Sequence, residues 1–244
     1  MTSAEARARV EALGFAPDAV EVLFAHFADA EARGKLEHGF SRIPWLETQQ
    51  FDPHGRPVKL GRRDGIDFWD GSGALGYLTL SAVCDDVLAE GVEGVRLVVA
   101  SRCFPTGALG YWVRRLAVGG YVALLTATSP RRLPPPAGGA PLTGTNPLAI
   151  AIPSAEGGPV VADVSMGAVT HGDVLAGRAR PEELVPFGGA SAHKSFALAV
   201  GLELFVSALA GPEHSAVLLV ARPEHDPVPV FRALAEDVRL PGDA

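Results

Sequence analysis

Apolar positions recur along this chain with two periods, and the switches between them mark its elements. Residues 3–13 and 17–33 carry helical spacing, with Leu13, Val20, Val22, Leu23 and Phe27 on the apolar face and Pro17 with Asp18 as a start signal. Gly34 closes that region, and an irregular segment runs from Leu36 to Leu46. The pattern predicts a strand at 66–69, a helix over 75–90 ending at Gly91, and a strand from Val95 to Ser101. It then predicts a helix from Leu109 to Val118 and strands at 121–127, 148–152 and 159–163. A helix over 195–211, a strand at 216–221 and a helix near 228–236 complete the series. Helices and strands alternate, so the expected class is α/β or mixed α+β.

Two stretches interrupt this regularity. Residues 129–147 are rich in Pro and Gly and read as a linker or a ligand-binding loop; strands follow at once, which favours the loop. The 195–211 helix is the most apolar segment, yet Glu203 sits in its middle and it is short for a membrane span. It reads as a buried core or subunit-interface helix. The string Gly-Ala-Leu-Gly-Tyr occurs at 73–77 and 107–111, opening a helix each time; glycine there permits close helix–strand contact.

Composition narrows the classes. The chain has 244 residues, 48% hydrophobic and 20% charged, which suits a folded protein of one or two domains. A net charge of −7, with no basic run longer than a pair, argues against a nucleic-acid role. Cys84 and Cys103 supply neither a disulfide framework nor zinc spacing, so a reducing cytoplasm and no metal are expected. Residues 1–9 mix acids and arginines without an apolar signal core.

Candidate chemistry clusters in a few places. Residues 71–76 fit G-x-G-x-x-G, but the following strand ends Ala100-Ser101-Arg102 with no acid to hold a ribose, which argues against a Rossmann site. His38 can exchange a proton near neutrality, and Arg42 can clamp a carboxylate bidentately; the bland alternative is a surface histidine beside an ordinary ion pair. Glu37 places an acid next to His38 and is expected to raise its pKa. Thr145 and Asn146 sit on a turn framed by Gly144 and Pro147, where they either present donors to a ligand or only close the turn. Lys194, beside a helix start, is placed to hold an anion, or is simply solvated.

Several of these segments resemble the type-2 malate/L-lactate dehydrogenase family, which includes cyclic-imine reductases and ureidoglycolate and sulfolactate dehydrogenases. The match rests on His38-Gly39 with Arg42-Ile43-Pro44, on 144–153, on Val160-Val161-Ala162-Asp163, and on Pro186-Phe187-Gly188-Gly189 with Lys194. The resemblance implies a non-Rossmann NAD(P)-binding fold in a shortened chain. It implies an N-terminal segment at 1–65, a central α/β part at 66–165 and a shortened C-terminal part at 166–244. It also implies a catalytic role for His38, with Arg42, Thr145 and Asn146 toward substrate; Glu37 and Asp163 are the further candidate acid/base groups beside His38. Gly144, Asp163, Val164, Ser165, Gly188, Gly189 and Lys194 would lie toward NADPH or NADH. Departures are equally specific. The family serine before His38 is Glu37, a family lysine becomes Asp173, and alignment on Gly107–Tyr111 puts Cys103 and Pro105 where many relatives have a serine and the acid/base histidine.

The function so implied is NAD(P)H-dependent reduction of a small carboxylated imine or 2-keto acid by a cytoplasmic homodimer. Proline at 105 argues against the alcohol-oxidising branch, whereas an imine that is already protonated needs less acid catalysis. Two alternatives stay open: an enzyme that keeps the scaffold but performs acid/base chemistry without hydride transfer, and a non-catalytic relative or partner subunit.

Overall fold

The computed structural model describes residues 1–236 and 238–243. Its strands are β1 (Val58–Arg63), β2 (Ile66–Asp70), β3 (Val95–Ser101), β4 (Val122–Ala127), β5 (Leu148–Ile152), β6 (Val160–Val164) and β7 (Ala216–Ala221). They form a single sheet in the order β1-β2-β3-β7-β4-β5-β6. The helices are α1 (Ser3–Glu11), α2 (Pro17–Ala32), α3 (Ile43–Leu46), α4 (Gly76–Glu90), α5 (Leu109–Val118), α6 (His171–Leu175), α7 (Ala192–Ala210) and α8 (Val228–Ala235).

Alternation along the central strands creates two buried faces. Val98 and Ala100 of β3, with Leu218 and Val220 of β7, face a large core shared with α1, α2, α4 and α5. Val99 and Val217 face the other way, onto Val206 of α7. The N-terminal helices join the main core through Val10, Leu23 and Phe27, and β7 lies at the middle of the sheet between β3 and β4. Among the described residues only β2 and β3 pair in parallel; β1–β2, β3–β7, β7–β4, β4–β5 and β5–β6 are antiparallel. This is a mixed α/β fold, not a doubly wound one.

That topology disposes of the glycine run as a dinucleotide site. Gly71 donates its N–H to Ser101 O at 2.9 Å, and a Cβ on Gly71 would strike the Arg102 carbonyl. A Cβ on Gly76 would lie 2.7 Å from Pro105 O. Arg102 pairs with Asp70 rather than standing free for a phosphate. These glycines let α4 pack against the 103–105 loop.

Three elements escaped the periodicity. Strand β1 hairpins onto β2 through Asp64-Gly65, both at positive φ, a two-residue turn that such a pair favours. Its Val58 and Leu60 are exposed, so no core-facing alternation announced it. Helices α3 and α6 span 4 and 5 residues, too few for a helical period to show. Helix α7 also differs from one of its two readings. Ala199 and Val206 are buried beneath it, but Leu198, Leu204 and Phe205 are 51%, 63% and 46% exposed, so it is not an enclosed core helix.

Candidate active site

The segment after α2 is held by a chain of short turns. Lys35 N–H donates to Ala30 O at 2.9 Å, His38 N–H to Lys35 O at 2.9 Å, and Phe40 N–H to the Glu31 carboxylate at 2.7 Å. These turns fix His38 and lead into α3, where Ile43 and Leu46 are buried. Arg42 lies over the Trp45 ring, 4.0 Å from its centroid, so its charge is stacked rather than loose.

His38 and Arg42 line a cleft with an empty volume of about 970 Å³ including its open mouth. Its other walls come from Phe104, Pro105, Thr106, Gly107 and Leu109, from Thr128, Ser129 and Arg132, from Thr145 and Pro147, from Asp163 and Ser165, and from Thr170–Gly172. Asp163 ties two walls together, accepting from Lys35 Nζ at 3.1 Å and from Gly110 N at 2.9 Å. The Gly110 bond requires a bare α-carbon, because a Cβ there would sit 2.9 Å from the same carboxylate oxygen. A capping box between Thr170 and Asp173 starts α6 and sets His171 on the cleft wall. Gly172 packs against the Glu37 carbonyl, with no room for a side chain.

The cleft is cationic in character. Burial, Arg42 and Lys35 together push the His38 pKa down to about 3, so His38 is neutral at pH 7. The expected upward push from Glu37 is therefore overturned: Glu37 is in the lining, but desolvation and the two cations decide the titration. Burial, Arg132 and Arg42 lower His171 to about 4. Burial lifts the Cys103 thiol to about 12, which removes it as a nucleophile.

Behind the cleft lies a residue that the sequence reading passed over. His26 is fully buried among Phe27, Tyr77, Tyr111 and Trp112. Its Nε2 accepts the Ala108 N–H at 3.1 Å and so pins the loop that carries Pro105. Burial holds its pKa at about 3. Its position on the inner face of α2 was the available signal. His171 was passed over because it lies in a segment without helical period.

The structure brings together Glu37, His38, Arg42, Thr145, Asp163 and Ser165 around the cleft. Others lie elsewhere. Asn146 is buried, and its amide donates to Ala199 O at 3.0 Å and to the Glu203 carboxylate at 2.7 Å, so it faces α7 and not a substrate. Gly144 donates its N–H to the same carboxylate and is crowded by Ser129. Val164 is 44% exposed, and Gly188, Gly189 and Lys194 are exposed at the start of α7; none of them lines the cleft.

Residues 2–190 match the family model described as malate/L-lactate dehydrogenase. The chain belongs to this family. Among curated malate/L-lactate dehydrogenase relatives, a Δ1-pyrroline-2-carboxylate/Δ1-piperideine-2-carboxylate reductase of Pseudomonas putida is 30% identical over 229 residues, covering 81% of this chain and 66% of that protein. A (2R)-3-sulfolactate dehydrogenase (NADP+) of Chromohalobacter salexigens is 28% identical, covering 75% and 56%. The chain thus spans between about half and two thirds of the length of such relatives. The solved Δ1-piperideine-2-carboxylate reductase of Pseudomonas syringae superposes with a TM-score of 0.83 at 25% identity, over 97% of this chain and 88% of that one. Malate dehydrogenase from Pyrococcus horikoshii shares the fold, with a TM-score of 0.78 at 19% identity over 99% and 82%.

Proposed function

We propose that this chain is an NAD(P)H-dependent reductase of a small carboxylated imine or 2-keto acid. The observation that carries the reading is the placement of Arg42 and His38 on one wall of the cleft. Arg42, stacked on Trp45, receives the substrate carboxylate as a bidentate pair. His38 is neutral and offers a ring N–H or a lone pair to the reacting centre. The Asp163–Lys35 and Asp163–Gly110 bonds hold the opposing wall in register.

The donor set fits the nicotinamide end of a cofactor. Thr106, Ser129 and Thr145 line the cleft, and among the described residues their hydroxyls bond no protein group. Such hydroxyls suit a carboxamide, which needs both a donor and an acceptor. When bound, the cofactor supplies the hydride; the protein supplies orientation and the electrostatics of the reacting centre. Thr145 and Ser165 are the residues we assign to its reactive end.

Proton supply selects the imine. Pro105 has no proton to transfer, and His38 carries no extra proton at neutral pH. Reduction of a ketone requires a proton at the new oxygen, whereas an iminium already bears its own. Cyclic imino acids are accordingly the preferred substrates. Cytoplasmic location accords with two buried free thiols, Cys84 and Cys103. A homodimer built on the exposed apolar face of α7 would cover Leu198, Leu204 and Phe205.

A second reading is favoured by the exposed, off-cleft position of Gly188, Gly189 and Lys194. If these residues hold no cofactor phosphate, the same cleft serves acid/base chemistry on a carboxylated metabolite without hydride transfer. Measuring reduced-nicotinamide oxidation with a panel of cyclic imino acids and 2-keto acids separates the two. Turnover with an imine that is lost in Arg42→Met supports the reductase; substrate binding without any nicotinamide oxidation supports the alternative.

A further inference from the structure

Three bonds hold one wall of the cleft from behind. Trp112 Nε1 donates to Thr106 O at 2.8 Å, Ala108 N–H donates to His26 Nε2 at 3.1 Å, and Gly110 N–H donates to Asp163 Oδ2 at 2.9 Å. Two of the partners have an evident place, since Asp163 lines the cleft and Trp112 fills the core. His26 is the odd one, a polar ring fully buried among aromatic side chains. Accepting at Nε2 leaves the proton of the neutral ring on Nδ1. Nδ1 is buried and, among the described residues, meets no hydrogen-bond partner. A stranded donor weakens a core, and an apolar side chain of similar size would fill the space without one. What the imidazole adds is an acceptor for the Ala108 N–H.

That acceptor lies one residue away from the cleft. Gly107, at φ +69°, packs directly on the ring: a Cβ there would sit 2.4 Å from His26 Cε1, 2.5 Å from its Nε2 and 2.3 Å from Tyr77 Cε1. Gly107 and Thr106 both line the cleft. The Thr106 backbone is therefore fixed by Trp112 at its own carbonyl and, through Gly107 and Ala108, by His26. Thr106 is only 7% exposed, and its hydroxyl bonds no protein group among the described residues. A hydroxyl on a backbone held at two points has a set direction, and it can both donate and accept.

We propose that His26 is a positioning residue of the cleft, which by holding Ala108 aims the Thr106 hydroxyl at the carboxamide of a bound nicotinamide. The inference rests on the reductase reading, which brings the nicotinamide end of the cofactor to Thr106, and adds the residue that sets the geometry there. His26 touches neither substrate nor cofactor, and no proton passes through it. Its work is done before binding: a loop already rigid loses less freedom when the ring arrives than a loose one would.

Binding tests this without turnover. Calorimetric titration of the full chain compares NADPH with ADP-ribose 2′-phosphate, and NADH with ADP-ribose, each fragment lacking the nicotinamide ring. The ratio of whole-cofactor to fragment affinity isolates the nicotinamide contact. Wild type is expected to favour the whole cofactor. His26→Leu is expected to cut the ratio about threefold to tenfold, the range for one net hydrogen bond, while fragment affinity stays within about twofold. His26→Gln, which again offers the Ala108 N–H an acceptor, keeps most of the ratio. Thr106→Val, close in shape to the native residue, is expected to cut the ratio as much as His26→Leu does. The double variant is expected to cut it no further than either single change. The proposal is overturned if His26→Leu or Thr106→Val leaves the ratio unchanged, or if the two losses multiply, meaning that His26 acts elsewhere than at Thr106. It is equally overturned if His26→Leu weakens cofactor and fragment alike, meaning that the imidazole only supports the fold. A wild type that binds neither NADPH nor NADH better than its fragment would remove the reductase reading itself, and this proposal with it.

Discussion

Lys35 and Asp163, 128 positions apart in sequence, meet at 3.1 Å and close the cleft between the N-terminal segment and strand β6. The same carboxylate accepts the Gly110 N–H, so one side chain joins three parts of the chain. Asp163 is only 10% exposed, which makes its loss costly. Replacing it by alanine strands a backbone N–H and an ammonium near a partly dry wall. Asp163→Ala is expected to lower unfolding free energy by about 1–3 kcal/mol, read from the urea midpoint. A change below about 0.3 kcal/mol, well under that range, would mean that the three-way tie is ornamental.

A second, half-buried tie joins α7 to the 144–146 turn. The Glu203 carboxylate accepts from Asn146 Nδ2 at 2.7 Å and from Gly144 N at 3.3 Å. Glu203→Leu leaves both donors without that acceptor and is expected to cost about 1–3 kcal/mol. Because the tie braces the turn bearing Thr145, carboxylate affinity should fall with it. Retained stability in this variant would show that Asn146 is satisfied by Ala199 O alone.

Acid stability follows from the buried histidine of α2. His26 titrates at about 3 in the folded chain against an ordinary 6.5. Between those values the unfolded chain binds the extra proton, so stability is full above about pH 6.5 and declines as pH falls toward 3. The slope from this one group reaches about 1.4 kcal/mol per pH unit. Urea midpoints between pH 7 and pH 4.5 should fall less steeply in His26→Gln, whose side chain does not titrate but still offers the Ala108 N–H an acceptor. Parallel pH profiles for the two proteins would contradict the assignment.

Anion binding should also move protons. Arg42 contributes to the low pKa of both His38 and His171, about 3 and about 4. A carboxylate on Arg42 neutralises that influence and raises both values. Malonate binding near pH 5 is therefore expected to take up a fraction of a proton, and binding near pH 8 to take up none. Calorimetry in two buffers of different ionisation heat reads the difference. Proton release at pH 5 would reverse the electrostatic account.

Legibility differed by kind of feature. The long helices and the central strands were readable because burial on one or two faces imposes a period on their side chains. Strand β1 was not, since Val58 and Leu60 face solvent and its only signal was Asp64-Gly65. His38 and Arg42 were readable as chemistry, for proton exchange and carboxylate binding call for those residue types at close spacing. The neutral state of His38 was not: it depends on Lys35, Arg42 and burial acting together in space. Asn146 shows the converse problem. A polar residue on a glycine–proline turn looks like a ligand donor, and nothing local reveals that Glu203, 57 positions on, has claimed its amide. Arg132 escaped because its neighbourhood with Arg42 exists only once the Pro/Gly segment is folded back on Thr143.

The exposed face of α7 carries its own test. Leu204, 63% exposed, lies at the centre of the proposed subunit contact. Leu204→Glu is expected to convert a dimer to monomer in light scattering while the fold, read by circular dichroism, is kept. A wild-type monomer would dismiss the contact.

Binding of reduced nicotinamide to the cleft bears most directly on the function. Purified protein titrated with NADPH and with NADH should show a concentration-dependent rise in melting temperature and a change in nicotinamide fluorescence, followed by oxidation when a cyclic imino acid is added. That result is what a reductase with a neutral His38 and a carboxylate-binding Arg42 predicts. No shift with either nucleotide up to millimolar concentration would contradict it and leave the cleft to chemistry without hydride transfer.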